Sequence, residues 1–220
     1  MAKLDTKSRA KSGAEGKNED KPSRRGDARA RMYRELVFES AECVFGRHGF
    51  DATTMQDIAN EAGVSLKTLY ASYSGKQEIY EEIQKVRGKA FIEGVLVAAA
   101  MGHTPMEKLV LTVRSHMDFM LSHRDWLRFR LRTRVDWGIR PDDEFAAEYW
   151  QQGLDNISGI LSAGMEEGTF HEGDPYAVAS IVQAIMQVEV TRVVEVADSD
   201  GATVAEGIML HLNRLLCPVK

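Results

Sequence analysis

Three polar side chains, Lys67, Thr68 and Tyr70, fall within one short segment of predicted helix, and their chemistry suits nucleic acid. Leu69 lies between them and is spaced to face the preceding helix, which leaves the polar side chains facing outward. A lysine can donate hydrogen bonds to guanine O6 and N7, and a tyrosine hydroxyl suits a phosphate oxygen. Two roles stay open for Lys67: it reads a base edge, or it binds a phosphate without sequence information.

Two short helices and a tight turn must position this segment. Thr54, with Asp57 three residues later, has the pattern of a capping box and predicts the start of the first helix. Gly63, Val64 and Ser65 form the turn, because glycine allows a sharp bend without a Cβ clash and serine caps the next helix. A helix-turn-helix places the N-terminal residues of its second helix at base edges in the major groove.

A longer stretch around this unit is similar to a known domain. The DNA-binding domain of the TetR family of transcriptional repressors resembles the stretch FGRHGFDATTMQDIANEAGVSLKTLYASYSGKQEIYEEI. The resemblance covers about residues 31–83, with matches in register at Gly49, Phe50, Thr53, Thr54, Asp57, Ile58, Ala59, Ala62, Gly63, Val64, Ser65, Thr68, Leu69, Tyr70 and Lys76. The segment from Gly164 to Ser180 also resembles the family's link between its last three long helices.

The resemblance implies a fold and a set of DNA contacts. Family members are all-α homodimers whose variable C-terminal domain binds an effector, and effector binding moves the two DNA-reading heads apart. The residues that would face the major groove are Ser65, Leu66, Lys67 and Thr68. The residues that would contact the phosphate backbone are Thr54, Tyr70 and Lys76, the last aided by the positive end of the fourth helix.

The sequence departs from the family at Ala71, Ser72 and Tyr73, where an aromatic residue or His at 71 or 72 and Phe at 73 are more common. Ser72 can still donate a hydrogen bond to DNA. We expect Arg25, with the neighbouring Arg24 and Arg29, to compensate by entering a minor groove. The alternative for this arm is a solvated tail that contacts nothing.

The rest of the chain predicts helices only, and the fold class is therefore all-α, with about nine helices and no sheet. Apolar residues recur at three- and four-residue steps, and no alternating run predicts a strand. Ser74 with Gln77 repeats the capping pattern before the fourth helix. Later helices are predicted near 105–121, 125–136, 142–166, 175–196 and 203–216.

Composition and charge divide the chain into three parts: a disordered basic arm (1–28), a helix-turn-helix domain (29–75) and an effector-binding and dimerisation domain (76–220). The net charge is −5, but residues 1–29 hold nine basic and five acidic side chains. A basic arm of this kind can follow a phosphate backbone. With two cysteines, no long apolar segment and a polar N-terminus, we expect a cytoplasmic protein without membrane contact.

An effector site is predicted among the large apolar residues of the later helices. Arg130 is the arginine that we expect to face a pocket and bind an acidic effector bidentately; the alternative is a solvated basic face. The candidate effector-binding residues are Met117, Met120, Trp126, Phe129, Arg130, Trp150 and Met186. Their alternative role is ordinary core packing. His116 and His123 lack further ligands at metal-binding spacing, so we expect no metal and no cofactor.

The last two helices are predicted to form the interface of a homodimer. The segment 176–197 is apolar on more than one face and must be covered on both sides. The final helix repeats this property at Ile208, Leu210, Leu212, Leu215 and Leu216.

These patterns predict a DNA-binding transcriptional regulator, a repressor that a small-molecule effector releases from a near-palindromic operator. The partners are double-stranded DNA, a second copy of the chain and an unidentified effector. One alternative is an effector-independent regulator or an activator with the same head. Another is a helical small-molecule carrier or enzyme, although no catalytic motif supports an enzyme. A third is a protein-interaction module.

Overall fold

Nine α-helices and no strand make up the parts of the chain that the computed structural model describes, which are residues 24–133, 144–196 and 199–218. The helices are α1 (Arg24–His48), α2 (Met55–Glu61), α3 (Leu66–Ser72), α4 (Lys76–Ala100), α5 (Pro105–Ser122), α6 (Arg124–Thr133), α7 (Glu144–Glu166), α8 (Pro175–Val193) and α9 (Gly201–Leu216). The all-α prediction is confirmed. Within these ranges, no helix has the length and apolar character needed to cross a bilayer.

Local side-chain chemistry sets most helix starts, as the sequence predicts. Thr54 and Asp57 form a complete capping box at α2, and Thr104 and Glu107 form another at α5. Asp174 caps α8 through the backbone amides of its first turn. Gly63 has a φ of 63° in the turn between α2 and α3, a left-handed conformation that favours glycine.

Two predictions at helix starts are wrong. Residues 24–28 are helical, because α1 begins at Arg24; its first turns hold good helix formers such as Ala28 and Ala30. Residues 1–23 of the predicted disordered arm lie outside the described residues. Gln77 does not cap α4. The N-cap of α4 is Gly75, so Glu78 is the third residue of the helix and its carboxylate accepts from the Ser74 amide and hydroxyl, at 2.7 and 2.8 Å.

The helices pack as a head and a bundle. In the head, α1, α2 and α3 enclose a small core in which Val37, Ile58 and Leu69 are fully buried. The long α4 leads from the head into the bundle, where α5 packs against α4, α7 and α9. The short α6 packs against α5 of the bundle and also lies along α1, so that it contacts the head directly.

Candidate nucleic-acid interface

The second helix of the helix-turn-helix presents a polar surface beside a buried anchor. Leu69 is completely buried, whereas Lys67 is exposed and Tyr70 is 52% exposed. Ser65 caps α3 by accepting from the Thr68 amide at 3.0 Å, and the two hydroxyl oxygens lie 2.8 Å apart. Lys67 and Tyr70 therefore face outward as predicted, Thr68 is half-buried, and the DNA contacts of all three remain predictions.

Leu66 and Ser72 are less available than the other residues predicted to contact DNA. Leu66 is half-buried and packs against the core of the head. The Ser72 hydroxyl donates to the Thr68 carbonyl at 3.5 Å, a long contact that a DNA acceptor can replace. Arg25 lies in the first turn of α1, and its side chain is outside the described part of the structure.

Thr54 already has an acidic partner for both groups that the family resemblance assigns to phosphate. Its amide and its hydroxyl donate to one Asp57 carboxylate oxygen, at 2.8 and 2.6 Å. These bonds hold the pKa of Asp57 below its usual value, so the carboxylate is ionised at neutral pH. A phosphate contact by Thr54 requires an exchange of these bonds, and the contact remains a prediction.

Lys76 has a role inside the head that the sequence did not reveal. Its ammonium group donates to the carbonyls of Phe50, Asp51 and Thr53, at 2.8, 3.2 and 3.0 Å. The same group lies 4.5 Å from the centroid of the Phe50 ring. Because an ammonium has three N–H donors, these bonds occupy all of them. Lys76 therefore ties the start of α4 to the loop before α2.

Arg34 is a second internal tie that sequence reasoning missed. Its guanidinium donates to Glu82 on α4 through Nε and Nη2, and to the Ser72 carbonyl at 3.3 Å. It also stacks over the Tyr73 ring, 4.5 Å from the centroid. This single side chain on α1 thus contacts both the end of the recognition helix and α4, so it restrains how the recognition helix sits on the molecule.

The residues predicted to bind an effector separate into two groups. Met117, Met120, Trp126 and Met186 are buried in the bundle, and Trp150 is half-buried. Phe129 lies elsewhere: its ring is 5.1 Å from Phe45 on α1 and 5.1 Å from Tyr80 on α4. Phe129 thus belongs to an aromatic cluster that joins the bundle to the head.

Arg130 lies at a small polar gap between α5, α6 and α8. Its guanidinium stacks over Trp126, 4.8 Å from the ring centroid, and it lines the gap with His116 and Gln187. The gap has a volume of about 10 Å³, close to what one water molecule needs. Burial, aided by the Arg130 charge, lowers the pKa of His116 to about 3, so that its ring is neutral at physiological pH.

The fold and the head geometry agree with the comparisons with known proteins. The family model described as "Bacterial regulatory proteins, tetR family" matches residues 37–83. The head of this chain is therefore a TetR-family domain. This match covers α2, α3 and the exposed face of Lys67 and Tyr70, and it indicates a DNA-binding transcriptional regulator.

Relatives extend the similarity beyond the head. This chain is 30% identical over 133 residues to the HTH-type transcriptional activator FasR of Mycolicibacterium smegmatis, covering 58% of this chain and 59% of FasR. The ketosteroid transcriptional regulator KstR2 of Mycobacterium tuberculosis has the same fold, with a TM-score of 0.74 at 19% identity over 84% of this chain and 95% of KstR2.

FadR of Bacillus subtilis, solved in complex with stearoyl-CoA, also shares the fold. Its TM-score is 0.64 at 21% identity, over 81% of this chain and 96% of FadR.

Proposed function

We propose that this protein is a cytoplasmic homodimeric regulator that binds a near-palindromic operator through α3 of each protomer and is released by a small-molecule effector. The observation that carries the DNA-binding part is the exposed polar face of α3 on a fully buried anchor, Leu69. Two such heads in one dimer would enter successive major grooves, and the operator would therefore mirror the twofold symmetry of the protein.

Exposed apolar side chains on α8 and α9 support the dimer. Ile181 and Val188 on α8 are 54% and 64% exposed, and Leu210 on α9 is 53% exposed. Ile208 and Leu212, by contrast, pack into the protomer's own core, so only part of the predicted apolar set remains for a partner. Large apolar side chains grouped on two adjacent helices are typical of an interface between copies.

The side chains around the gap between α5, α6 and α8 support an acidic effector with an apolar body, and the gap, which has room for one water molecule, must widen to admit it. Arg130 and the neutral His116 can both donate to a carboxylate or phosphate oxygen, and Gln187 adds an amide. Met120 and Leu127 line the same gap and would contact apolar atoms of the ligand. FadR of Bacillus subtilis, which shares the fold, was solved in complex with stearoyl-CoA, a ligand of that character, and this supports the proposal.

Selection of bound DNA from a fragmented genomic library, at about 0.15 M salt, tests the operator. We expect recovery of a near-palindromic site. Recovery of no site above background, both with and without added ligand, would reject sequence-specific binding.

Thermal shift with fatty acids and acyl-CoA esters tests the effector class. Binding should raise the melting temperature of the wild type, and the Arg130→Gln variant should lose most of that rise. Each active compound should also weaken binding to the selected DNA. A ligand that binds better to the conformation with mis-spaced heads reduces the population of the conformation that binds the operator. A compound that raises the melting temperature but leaves the affinity for DNA unchanged is not an effector.

A further inference from the structure

The C-terminal end of α8 is held by an arginine from another helix. Arg124, the first residue of α6, donates from Nη1 to the carbonyls of Val193, Val194 and Val196, at 3.3, 2.9 and 3.2 Å. Its Nη2 donates to the Ser199 carbonyl at 2.7 Å. Carbonyls at a helix end lack intrahelical partners and carry partial negative charge, so a guanidinium satisfies both needs.

A neighbouring ion pair extends this tie by one turn of α6. The Arg128 side chain binds Glu195, which follows the end of α8, at 3.3 Å, and binds Asp125 on its own helix at 3.1 Å. The Arg128–Glu195 pair is exposed on the Glu195 side, and such pairs contribute little stability alone. Arg124 is the principal link, because it donates to four backbone carbonyls whereas Arg128 reaches one exposed carboxylate of this segment.

The first turn of α6, which carries Arg124 and Asp125, lies directly against the backbone of α1. A Cβ atom at Gly46 of α1 would lie 2.7 Å from the Asp125 carbonyl oxygen, closer than real Cβ contacts occur. One turn further along, Phe129 stacks on Phe45 of α1 at 5.1 Å. The first turn of α6 is thus clamped between the end of α8 and the helix that carries the head.

We propose that Arg124 is a positioning residue that sets the spacing of the two DNA-reading heads by holding α6, and through it α1, to the end of α8. The inference rests on the proposed function, because it needs α8 to lie in the dimer interface. With α8 fixed at that interface, a rigid link from its end to α1 transmits the geometry of the dimer to the heads. A lysine is a poorer link, since its single nitrogen has three donors, whereas the guanidinium presents Nη1 to three carbonyls and Nη2 to a fourth, that of Ser199.

Operators with altered spacing test this role. The selected operator is compared with versions in which one base pair is inserted or removed between the half-sites, which turns one half-site by about 34°. We expect the wild type to bind the native spacing at least tenfold more tightly than either altered version. In Arg124→Lys and Arg124→Ala this ratio should fall at least threefold, while affinity for a single half-site stays unchanged. Arg132→Ala, an exposed arginine on the same helix, is the matched control and should keep the wild-type ratio.

A purely structural role would give a different result. If the Arg124 variants melt at lower temperature and bind every spacing more weakly by the same factor, the positioning role is rejected. An unchanged ratio in Arg124→Lys also rejects it. Failure of the wild type to bind any selected DNA as a dimer would instead reject the proposed function, on which the inference depends.

Pulsed electron–electron double resonance measures the distance between the two heads without an operator. Spin labels at Gln56→Cys, an exposed position on α2, report the distance between heads in a chain whose Cys43 and Cys217 are replaced by serine. We expect a narrow distribution in the background with Arg124 present and a clearly broader one in Arg124→Lys. Equal widths would overturn the proposal even if the DNA affinity of the variant were reduced.

Discussion

Replacement of Lys76 by Met separates two roles for this residue, the phosphate contact implied by family resemblance and the internal tie seen in the structure. Methionine keeps an unbranched apolar side chain of similar length beside the Phe50 ring and removes only the charge and the donors. The loss leaves the carbonyls of Phe50, Asp51 and Thr53 without the ammonium that binds all three.

The expected cost follows from these bonds. A hydrogen bond that involves a charged group contributes about 1.5 to 3 kcal/mol. The Asp51 carbonyl contact is exposed and the other two are part-buried, so water would replace some of the lost bonding. We therefore expect a net loss of about 2 to 4 kcal/mol in the free energy of unfolding, since the three bonds share one donor group. For a chain of this size that loss lowers the melting temperature by about 4 to 16 °C.

Calorimetry and DNA titration at several salt concentrations, done on the same samples, provide the assay. Lys67→Met is the matched control: Lys67 is exposed on α3, so its loss should weaken DNA binding with little change in melting temperature. If Lys76→Met melts within about 1 °C of the wild type while the slope of log affinity against log salt falls by about one, Lys76 is a phosphate ligand and the structural assignment is refuted.

Three further outcomes are expected. Tyr70→Phe should weaken binding by a similar factor for all DNA sequences, measured by titration of specific and random duplexes; a change in sequence preference alone would contradict a phosphate contact. Gly46→Ala should lower the melting temperature although alanine favours helix, because the new Cβ meets the Asp125 carbonyl, whereas Gly159→Ala on the exposed face of α7 has open space and should raise it. The pKa of His116 is lowered to about 3 in the folded protein, so between pH 6.5 and 3 only the unfolded state takes up a proton on this side chain. The free energy of unfolding therefore falls as the pH drops below 6.5. Urea titrations should show that His116→Leu loses about 2 kcal/mol less than the wild type between pH 7.5 and 5, and parallel losses would argue against a buried neutral ring.

The helix-turn-helix was predictable because the signals that define it are local. Thr54 and Asp57 are three residues apart, and a capping box depends only on that spacing and on the backbone between them. Gly63 marks a turn for the same kind of reason, since its left-handed backbone conformation is costly for other residues. The burial of Ile58 on α2 and of Leu69 on α3 then follows from the apolar face that each helix turns towards the core of the head.

The roles of the cationic side chains were not predictable in this way. Lys76, Arg34 and Arg124 all bind backbone carbonyls far from them in sequence. Every residue carries a carbonyl, so an acceptor of this type leaves no mark in the amino-acid sequence. A lysine at the start of α4 or an arginine at the start of α6 is equally compatible with solvent, with phosphate or with an internal tie.

Phe129 illustrates the same division for apolar residues. The sequence alone determined that this chain is helical throughout its described parts, that it carries a TetR-family head, and that α6 has an apolar side. Only the tertiary structure decided that Phe129 on this helix meets Phe45 of the head and Tyr80 of α4 rather than the interior of the bundle. Hydrophobic burial is non-directional and rewards any apolar neighbour alike, so helical periodicity specifies which face is covered and the packing of distant helices specifies by what.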